Sequence, residues 1–224
     1  MVRVVSVNVG QPQTRILHDA PDGREAAWTS GIWKFPVAGA LHIAALGVSG
    51  DGQADTKNHG GPDKAVLGYA SSHYPAWRAE LPHLDVQAGG FGENLTIDRQ
   101  DETTVCVGDV YTADDLTLQV TGPRYPCWKV SRRWNQRDLH DRVYALRRTG
   151  WYFRVLNEGT IAAGADLTLA ERPQPALTIA RCFDLIDTPD DFIDAARQLA
   201  NAPEASAFWR KMANKALAST GVLE

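Results

Sequence analysis

Cysteine is scarce in this chain. There are three in 224 residues, Cys106, Cys127 and Cys182, an odd number at wide spacing. That excludes the disulfide framework that staples small secreted folds. A surplus of positive charge is also missing: lysine and arginine number 23 against 27 aspartates and glutamates, a formal net charge of −4. A general nucleic-acid binder would usually be basic. No apolar run is long enough to span a bilayer, and the opening M-V-R-V-V-S-V-N-V-G has no basic-then-apolar leader pattern. The expectation is a protein of the reducing cytoplasm whose partners include neither nucleic acid nor membrane. Asn94-Leu95-Thr96 matches a glycosylation sequon, without the secretory signal that would give it meaning.

Several catalytic signatures are absent as well. Neither G-x-G-x-x-G nor G-x-x-x-x-G-K-[ST] occurs, which excludes the dinucleotide fingerprint and the P-loop. H-x-E and H-E-x-x-H are missing. Pro126-Cys127 starts like the P-C-x-x-C of zinc deaminases, but Val130 stands where the second cysteine belongs. Gly47-Val48-Ser49-Gly50-Asp51 misses the G-x-S-x-G nucleophile elbow by one residue. A cysteine–histidine nucleophile pair has no local signature, although His42, His59, His73, His83 or His140 could fold near Cys127.

What is present centres on Val120–Trp134, V-T-G-P-R-Y-P-C-W-K-V-S-R-R-W, with Cys127 among Arg124, Lys129, Arg132 and Arg133. Pro123 and Pro126 restrict φ and bias their predecessors away from helix, so the approach to Cys127 is expected to be extended. Nearby cations stabilise a thiolate, the form that attacks electrophiles or binds metal. A soft sulfur ligand suits a soft or high-valent metal better than Mg²⁺ or Ca²⁺. The competing reading is a small buried hydrophobe, the commoner fate of an isolated intracellular cysteine. A local basic patch on an acidic protein points to a small anionic ligand. Arg142, Arg147 and Arg148 read instead as a solvated helix face.

Two glycine-rich stretches add to the candidate site. Gly47–Val66 holds five glycines and contains His59-Gly60-Gly61 and Lys64. Glycines beside a histidine and a lysine leave backbone N–H groups free to meet anionic oxygens. Gly89–Thr96, with Phe91 and Asn94, is the second. Lys34 lies between Trp33 and Phe35, where it either snorkels or faces a ligand.

Around these stretches the chain reads as β-rich. Strand patterns are expected at Val5, Val7 and Val9, at Leu41, Ile43 and Ala45, at 65–70, at Val105 and Val107, at Leu116, Leu118 and Val120, at 151–156 and at 167–170. A polar loop is expected through Gly23, a helix from Ser72 through Leu81 with His73 in a structural hydrogen bond, and a helix over 138–148 stopped by Gly150. After Pro173 and Pro175 the period becomes helical. Ile179, Cys182, Phe183 and Ile186 share a face; Pro189 opens a second helix and Pro203 a third. Cys106 and Cys182 therefore read as structural.

These pieces occur in one order: G-D-G-Q-A-D-T-K-N-H-G-G-P-D-K-A-V, H-Y-P-A-W, F-G-E-N-L-T, V-G-D-V-Y, P-R-Y-P-C-W-K and G-W-Y-F-R-V-L-N-E-G. The set resembles MOSC-domain proteins of the YiiM type, from about 30 to 171. The resemblance implies an α+β, mainly β fold: a MOSC β-barrel with short peripheral helices over 1–172, then a three-α domain over 176–220. It implies the molybdenum cofactor, a molybdopterin whose dithiolene sulfurs bind molybdenum and whose tail carries a phosphate. By motif match Cys127 would ligate the metal and act in catalysis with His59. Lys34, His59, Gly60, Gly61, Lys64, Phe91, Asn94, Arg124 and Lys129 would bind the cofactor. The implied activity is reduction of N-hydroxylated compounds such as purine analogues, by a homodimer fed by a separate flavin or iron–sulfur protein. The alternatives are a non-catalytic carrier of molybdopterin or sulfur, and a cysteine hydrolase.

Overall fold

The structure, a computed structural model, describes residues 1–17 and 27–220. In chain order the strands are β1 (Val2–Val9), β2 (Gln13–Ile16), β3 (Ala27–Ser30), β4 (Phe35–Pro36), β5 (Leu41–Ala44), β6 (Gly47–Val48), β7 (Val66–Ala70), β8 (Leu95–Asp98), β9 (Val110–Ala113), β10 (Leu116–Pro123), β11 (Trp151–Asn157), β12 (Gly159–Ile161) and β13 (Asp166–Glu171). The helices are α1 (Thr56–His59), α2 (His73–Glu80), α3 (Lys129–Trp134), α4 (Leu139–Ala145), α5 (Ile179–Asp187), α6 (Ile193–Asn201) and α7 (Ala207–Ser219).

Strands β13, β9, β10, β11, β7, β8 and β1 pair in that order, and β1 returns to β13 through Val2–Leu167 and Arg3–Asp166. A seven-stranded barrel closes, which leaves no free edge among those strands. The cause is visible in β10: Leu116, Leu118 and Val120 are fully buried at period 2, between half-buried Thr117 and Gln119. All neighbours run antiparallel except β7 and β8. A parallel pair needs a long crossover. Here the crossover carries α2 and the second glycine-rich stretch. Among the described residues no helix is long and apolar enough to cross a membrane.

Three expectations about the strands shift. Val5 is 50 % exposed, while Val4, Ser6, Val7 and Asn8 are buried, because a register irregularity between Val4 and Ser6 breaks the alternation. Val105 and Val107 are fully buried but lie outside a strand, joined to the rest by one bridge, Cys106–Thr178. Asp109 accepts the Cys106 N–H at 2.9 Å and turns the chain there, so the strand forms later, at β9. The loop expected through Gly23 contains β2, paired with β3; its residues 18–26 lie outside the described residues.

Two helix boundaries shift too. The helix of 138–148 stops at Ala145; Arg147, at φ 55°, is the first residue after it in the left-handed region, and Gly150, at φ 74°, adopts it again before β11. The third tail helix begins at Ala207, not Pro203, because Ser206 caps it by accepting the Trp209 N–H at 3.4 Å. The face of α5 is as the spacing predicts: Ile179, Cys182 and Phe183 are fully buried.

The tail helices share one apolar cluster with the barrel, running from Val4, Val120 and Phe153 to Phe183, Leu199 and Trp209. Trp209 is the clamp. Its indole N–H donates to the Pro123 carbonyl at 2.8 Å. Gly122, at φ 143°, lets it approach; a Cβ there would lie 2.5 Å from the indole. Arg147 ties α4 to α5 through Asp187 at 2.6 Å, whereas Arg142 and Arg148 hold Glu80 of α2 at 2.6 and 2.7 Å. The three arginines are thus paired rather than a free solvated face. Trp209→Ala is expected to cost about 3–5 kcal/mol, and removal of everything after Pro173 to yield aggregated protein. Urea denaturation and gel filtration check this; a soluble, barrel-like fragment would show that the barrel is complete without the tail.

Candidate functional site

Where the two glycine-rich stretches meet the end of β10, a cleft opens to solvent. Of the residues expected to act, Lys34, His59, Lys64, Phe91, Asn94, Arg124, Cys127 and Lys129 line it together. Gly60 and Gly61 do not line it. They form the turn between α1 and a short 3₁₀ turn at Pro62–Lys64, with Gly61 at φ 93°. Their role is to place His59 and Lys64 on the wall.

The wall is fixed by buried charge. Lys34 is 6 % exposed and pairs with the carboxylate of Asp51. Asp51 also accepts the Gly10 N–H at 2.9 Å and the Asn94 side-chain amide at 2.9 Å. Asn94 spends its oxygen on the Leu67 N–H at 3.1 Å, so its amide braces the wall. Burial pulls the Lys34 ammonium below the usual lysine range, and Asp51 opposes that pull. Lys34 therefore faces a partner within the protein, neither snorkelling nor held free for a ligand.

Glu93, fully buried, organises the second stretch. It accepts the N–H groups of Gly89 at 2.7 Å and Phe91 at 3.1 Å, the Thr96 hydroxyl at 2.9 Å and the Tyr74 hydroxyl. Gly89, at φ 81°, packs against the backbone of Lys34; a Cβ would stand 2.5 Å from the Lys34 carbonyl oxygen. Phe91 is 1 % exposed and stacks on Tyr69 at 4.7 Å, in a core with Tyr74 and Trp77. Its ring belongs to that core, and its carbonyl accepts Nη2 of Arg124 at 3.4 Å.

Arg124 is the unbalanced cation. It is 6 % exposed and its Nη1 is buried without a hydrogen-bond partner. A buried unpaired guanidinium nitrogen is costly unless something accepts from it. Lys64 donates to the Asn58 carbonyl at 2.6 Å and is pulled down by burial. His59 ends α1, which Asp55 caps by accepting the Asn58 N–H at 3.0 Å. Burial first, then Lys129 and Arg124, pulls the His59 imidazole down to about 4.

Cys127 is half-buried, while Cys106 and Cys182 are buried and burial pushes both their thiols up. Of the four cations expected around Cys127, two share its cleft. Arg132 lies over the rings of Trp28 and Trp128, and Arg133 donates to the Ile32 carbonyl and lies over Trp134. The turn of α3 sends them away from the thiol. His73 makes the expected structural contact, 2.6 Å to Glu102. Tyr152, which the sequence did not single out, lines the cleft beside Cys127; burial pushes its phenol up to about 12. Its strand position beside Trp151 carried no distinguishing signal. Asp51, flanked by Gly50 and Gly52, could have been matched to Lys34 as a lone carboxylate among glycines.

Among the described residues no group of three or more histidine, cysteine, aspartate or glutamate side chains could hold a metal ion. Among the described residues, the cleft wall offers the Cys127 sulfur, the buried Arg124 Nη1 and further cations. That donor set fits a group that brings its own metal ligands and an anionic tail. Fold and site together define a β-barrel protein with a cation-lined cleft opening on one thiol.

The chain belongs to the MOSC domain family, which matches residues 55–168. MOSC domains are a molybdenum-cofactor-binding type. The chain is 40 % identical over 176 residues to the uncharacterized protein YflK of Bacillus subtilis, covering 79 % of this chain and 76 % of that protein. It is 36 % identical over 154 residues to Protein YiiM of Escherichia coli, covering 68 % and 67 %. A protein named Reductase from Gibberella moniliformis is 36 % identical over 197 residues, with 79 % of this chain but 35 % of that protein covered. The crystal structure of YiiM from Geobacillus stearothermophilus superposes with a TM-score of 0.78 at 34 % identity, covering 97 % of this chain and all of that one.

Two measurements probe this site. The His59 ring is expected to titrate near 4 in ligand-free protein by NMR, and added pyrophosphate to raise that midpoint, because an anion favours the imidazolium. Since the folded value lies below the ordinary 6.5, the unfolded chain binds more protons between the two, and stability falls as pH drops from about 6.5 to about 4. A midpoint near 6.5 would contradict the buried placement. Asp51→Ala leaves the Lys34 charge buried and unpaired, and is expected to cost about 3–5 kcal/mol by urea denaturation.

Proposed function

We propose that this chain is a molybdenum-cofactor-dependent oxidoreductase that reduces N-hydroxylated compounds, N-hydroxylated purine analogues among them, as a detoxifying reaction. The observation that carries the reading is Cys127, a half-exposed thiol opening onto the cleft where Arg124 keeps a buried unpaired nitrogen. Cys127 would be the protein's ligand to molybdenum. Arg124, Lys64 and Lys129 would hold the anionic part of the cofactor. Lys34 is committed to Asp51 and would set the charge of the wall. When bound, the cofactor supplies the two-electron reduction that cleaves the N–O bond. Two electrons and two protons enter, and amine and water leave.

The remaining work falls to the protein's own groups. In the ligand-free cleft His59 is neutral at neutral pH, with one ring nitrogen to donate and one to accept a hydrogen bond, and a bound anion raises its proton affinity. Tyr152 stays protonated and can donate from beside the thiol. Glu93 and the Asp51 pair hold the two loops still, which limits reorganisation when a ligand enters. The sequence carries no flavin, nicotinamide or iron–sulfur motif, so electrons would come from a separate flavin or iron–sulfur protein. The Gibberella relative's printed name supports a reductase; this chain spans about a third of that protein. The same reading places the chain in the cytoplasm as a homodimer.

Protein made in a cofactor-competent host is expected to carry about one molybdenum per chain and to turn over an N-hydroxylated purine with a chemical electron donor. Cys127→Ser replaces a soft donor by a hard, protonated oxygen at nearly equal volume. It is expected to stay folded and lose turnover, while Cys106→Ser and Cys182→Ser keep it. Arg124→Ala removes a charge-assisted contact of roughly 1.5–3 kcal/mol and is expected to weaken cofactor retention about tenfold. Full turnover by the Cys127 variant would sink the proposal. Release of intact cofactor to an apo-enzyme without turnover would make the chain a carrier.

A further inference from the structure

Cys127 does not close the cleft; it divides it. On its other side lies a second, open chamber, and Cys127, His59, Lys64 and Tyr152 line both. The walls of the second chamber differ in kind. They come from the Gly122–Pro126 approach and from the start of α7, with Tyr125, Phe208 and Trp209. Tyr125 is 45 % exposed and Phe208 40 % exposed, large rings left open to solvent in an otherwise buried aromatic group. They meet edge to face at 6.0 Å. Trp209 forms the floor, nearly perpendicular to Phe208 at 5.6 Å.

Several polar groups around these rings are already engaged. The Trp209 N–H is given to Pro123, the Thr121 hydroxyl donates to the Asp63 carbonyl at 2.7 Å, and Ser206 caps α7. Asp63 pairs with Arg154 at 2.7 Å. Lys64, whose ammonium donates to the Asn58 carbonyl at 2.6 Å, lies 5.8 Å from the centroids of both Tyr152 and Phe208, on the wall shared with the first cleft. The chamber therefore offers aromatic faces, with the Tyr125 hydroxyl among them and His59, Lys64 and Tyr152 on the wall shared with the first cleft. Such walls select a flat ring, because stacking and edge-to-face contact add to apolar burial for an aromatic guest and not for a saturated one.

We propose that the second chamber is the substrate subsite, that it takes an uncharged planar aromatic ring against Phe208 and Tyr125 with its reacting edge towards Cys127, and that α7 thereby sets substrate class. The inference rests on reading the first cleft as the cofactor seat. It gives the C-terminal helices a direct part in the site: Trp209 locks α7 onto β10, and the neighbouring Phe208 is held at the chamber mouth.

The test has two arms. In the first, benzamide and cyclohexanecarboxamide, neutral rings of similar size, are titrated against the full-length cofactor-free chain by tryptophan fluorescence. Benzamide is expected to bind about tenfold more tightly, and Phe208→Ala or Tyr125→Ala to remove most of that preference. In the second, the cofactor-loaded protein is given an aromatic and an aliphatic N-hydroxy substrate with a chemical donor. The ratio of the two kcat/KM values is expected to fall about tenfold in Phe208→Ala, with molybdenum content unchanged. Both side chains are partly exposed, so the variants fold; circular dichroism verifies it. Equal affinity for the two amides, or an unchanged preference in both variants, overturns the subsite. A benzamide preference in the first arm, with no molybdenum and no turnover in protein made in a cofactor-competent host, would sink the reductase reading and leave the subsite standing.

Discussion

The buried pair of Lys34 and Asp51 is the constraint on which the site depends. Two opposite charges at this depth are tolerated only with close geometry and satisfied hydrogen bonds. Asp51 meets that demand by accepting from Gly10, from Asn94 and from Lys34 itself. Its three partners sit on different segments, the end of β1, the stretch before β4 and the second glycine-rich stretch, and Asp51 itself sits on the first. One carboxylate thus pins four pieces of chain that have no secondary structure to hold them. Glu93 does the same locally, gathering Gly89, Phe91, Thr96 and Tyr74. The cleft is a gap between loops, and these two carboxylates keep it rigid.

With those loops fixed, the end of β10 decides the chemistry. The strand leaves the barrel at Pro123, and the next residues point to different surroundings. Arg124 turns into the cleft against Phe91. Tyr125 faces Tyr144, Phe183 and Phe208 of the helices. Cys127 comes to lie between two chambers. The tail matters here because Trp209 is bonded to the Pro123 carbonyl and packed on Gly122. A shift of α7 would move the backbone four residues upstream of the thiol.

Much of the architecture was legible in the order of residues. Period-2 patterns at Leu116–Val120 and Trp151–Leu156 place inner strands, and the helical stripe of Ile179, Cys182 and Phe183 places α5. Cys127 was legible as the distinctive thiol, because the other two cysteines sit inside apolar patterns. The misplacements have common causes. Val5 and Val105 failed where a backbone irregularity overrode alternation. Arg132 and Arg133, neighbours of Cys127 in sequence, were turned away by the helical pitch of α3, which no count of nearby charges reveals. Gly60 and Gly61 act one step back from the cleft wall, since a glycine's role depends on what lies across from it.

Local spacing and an ordered set of motifs were enough for the β-rich body, the helical tail, the family resemblance and the choice of Cys127 as the candidate thiol. Long-range packing chose which cations share a cleft with that thiol, bound Lys34 to Asp51, exposed Cys127 by half and drew Phe91 into the core. It also decided that α7 reaches the site, through a contact between residues 86 apart in the chain. Charge pairing and aromatic packing act between residues distant in sequence, and barrel closure selects which of them meet.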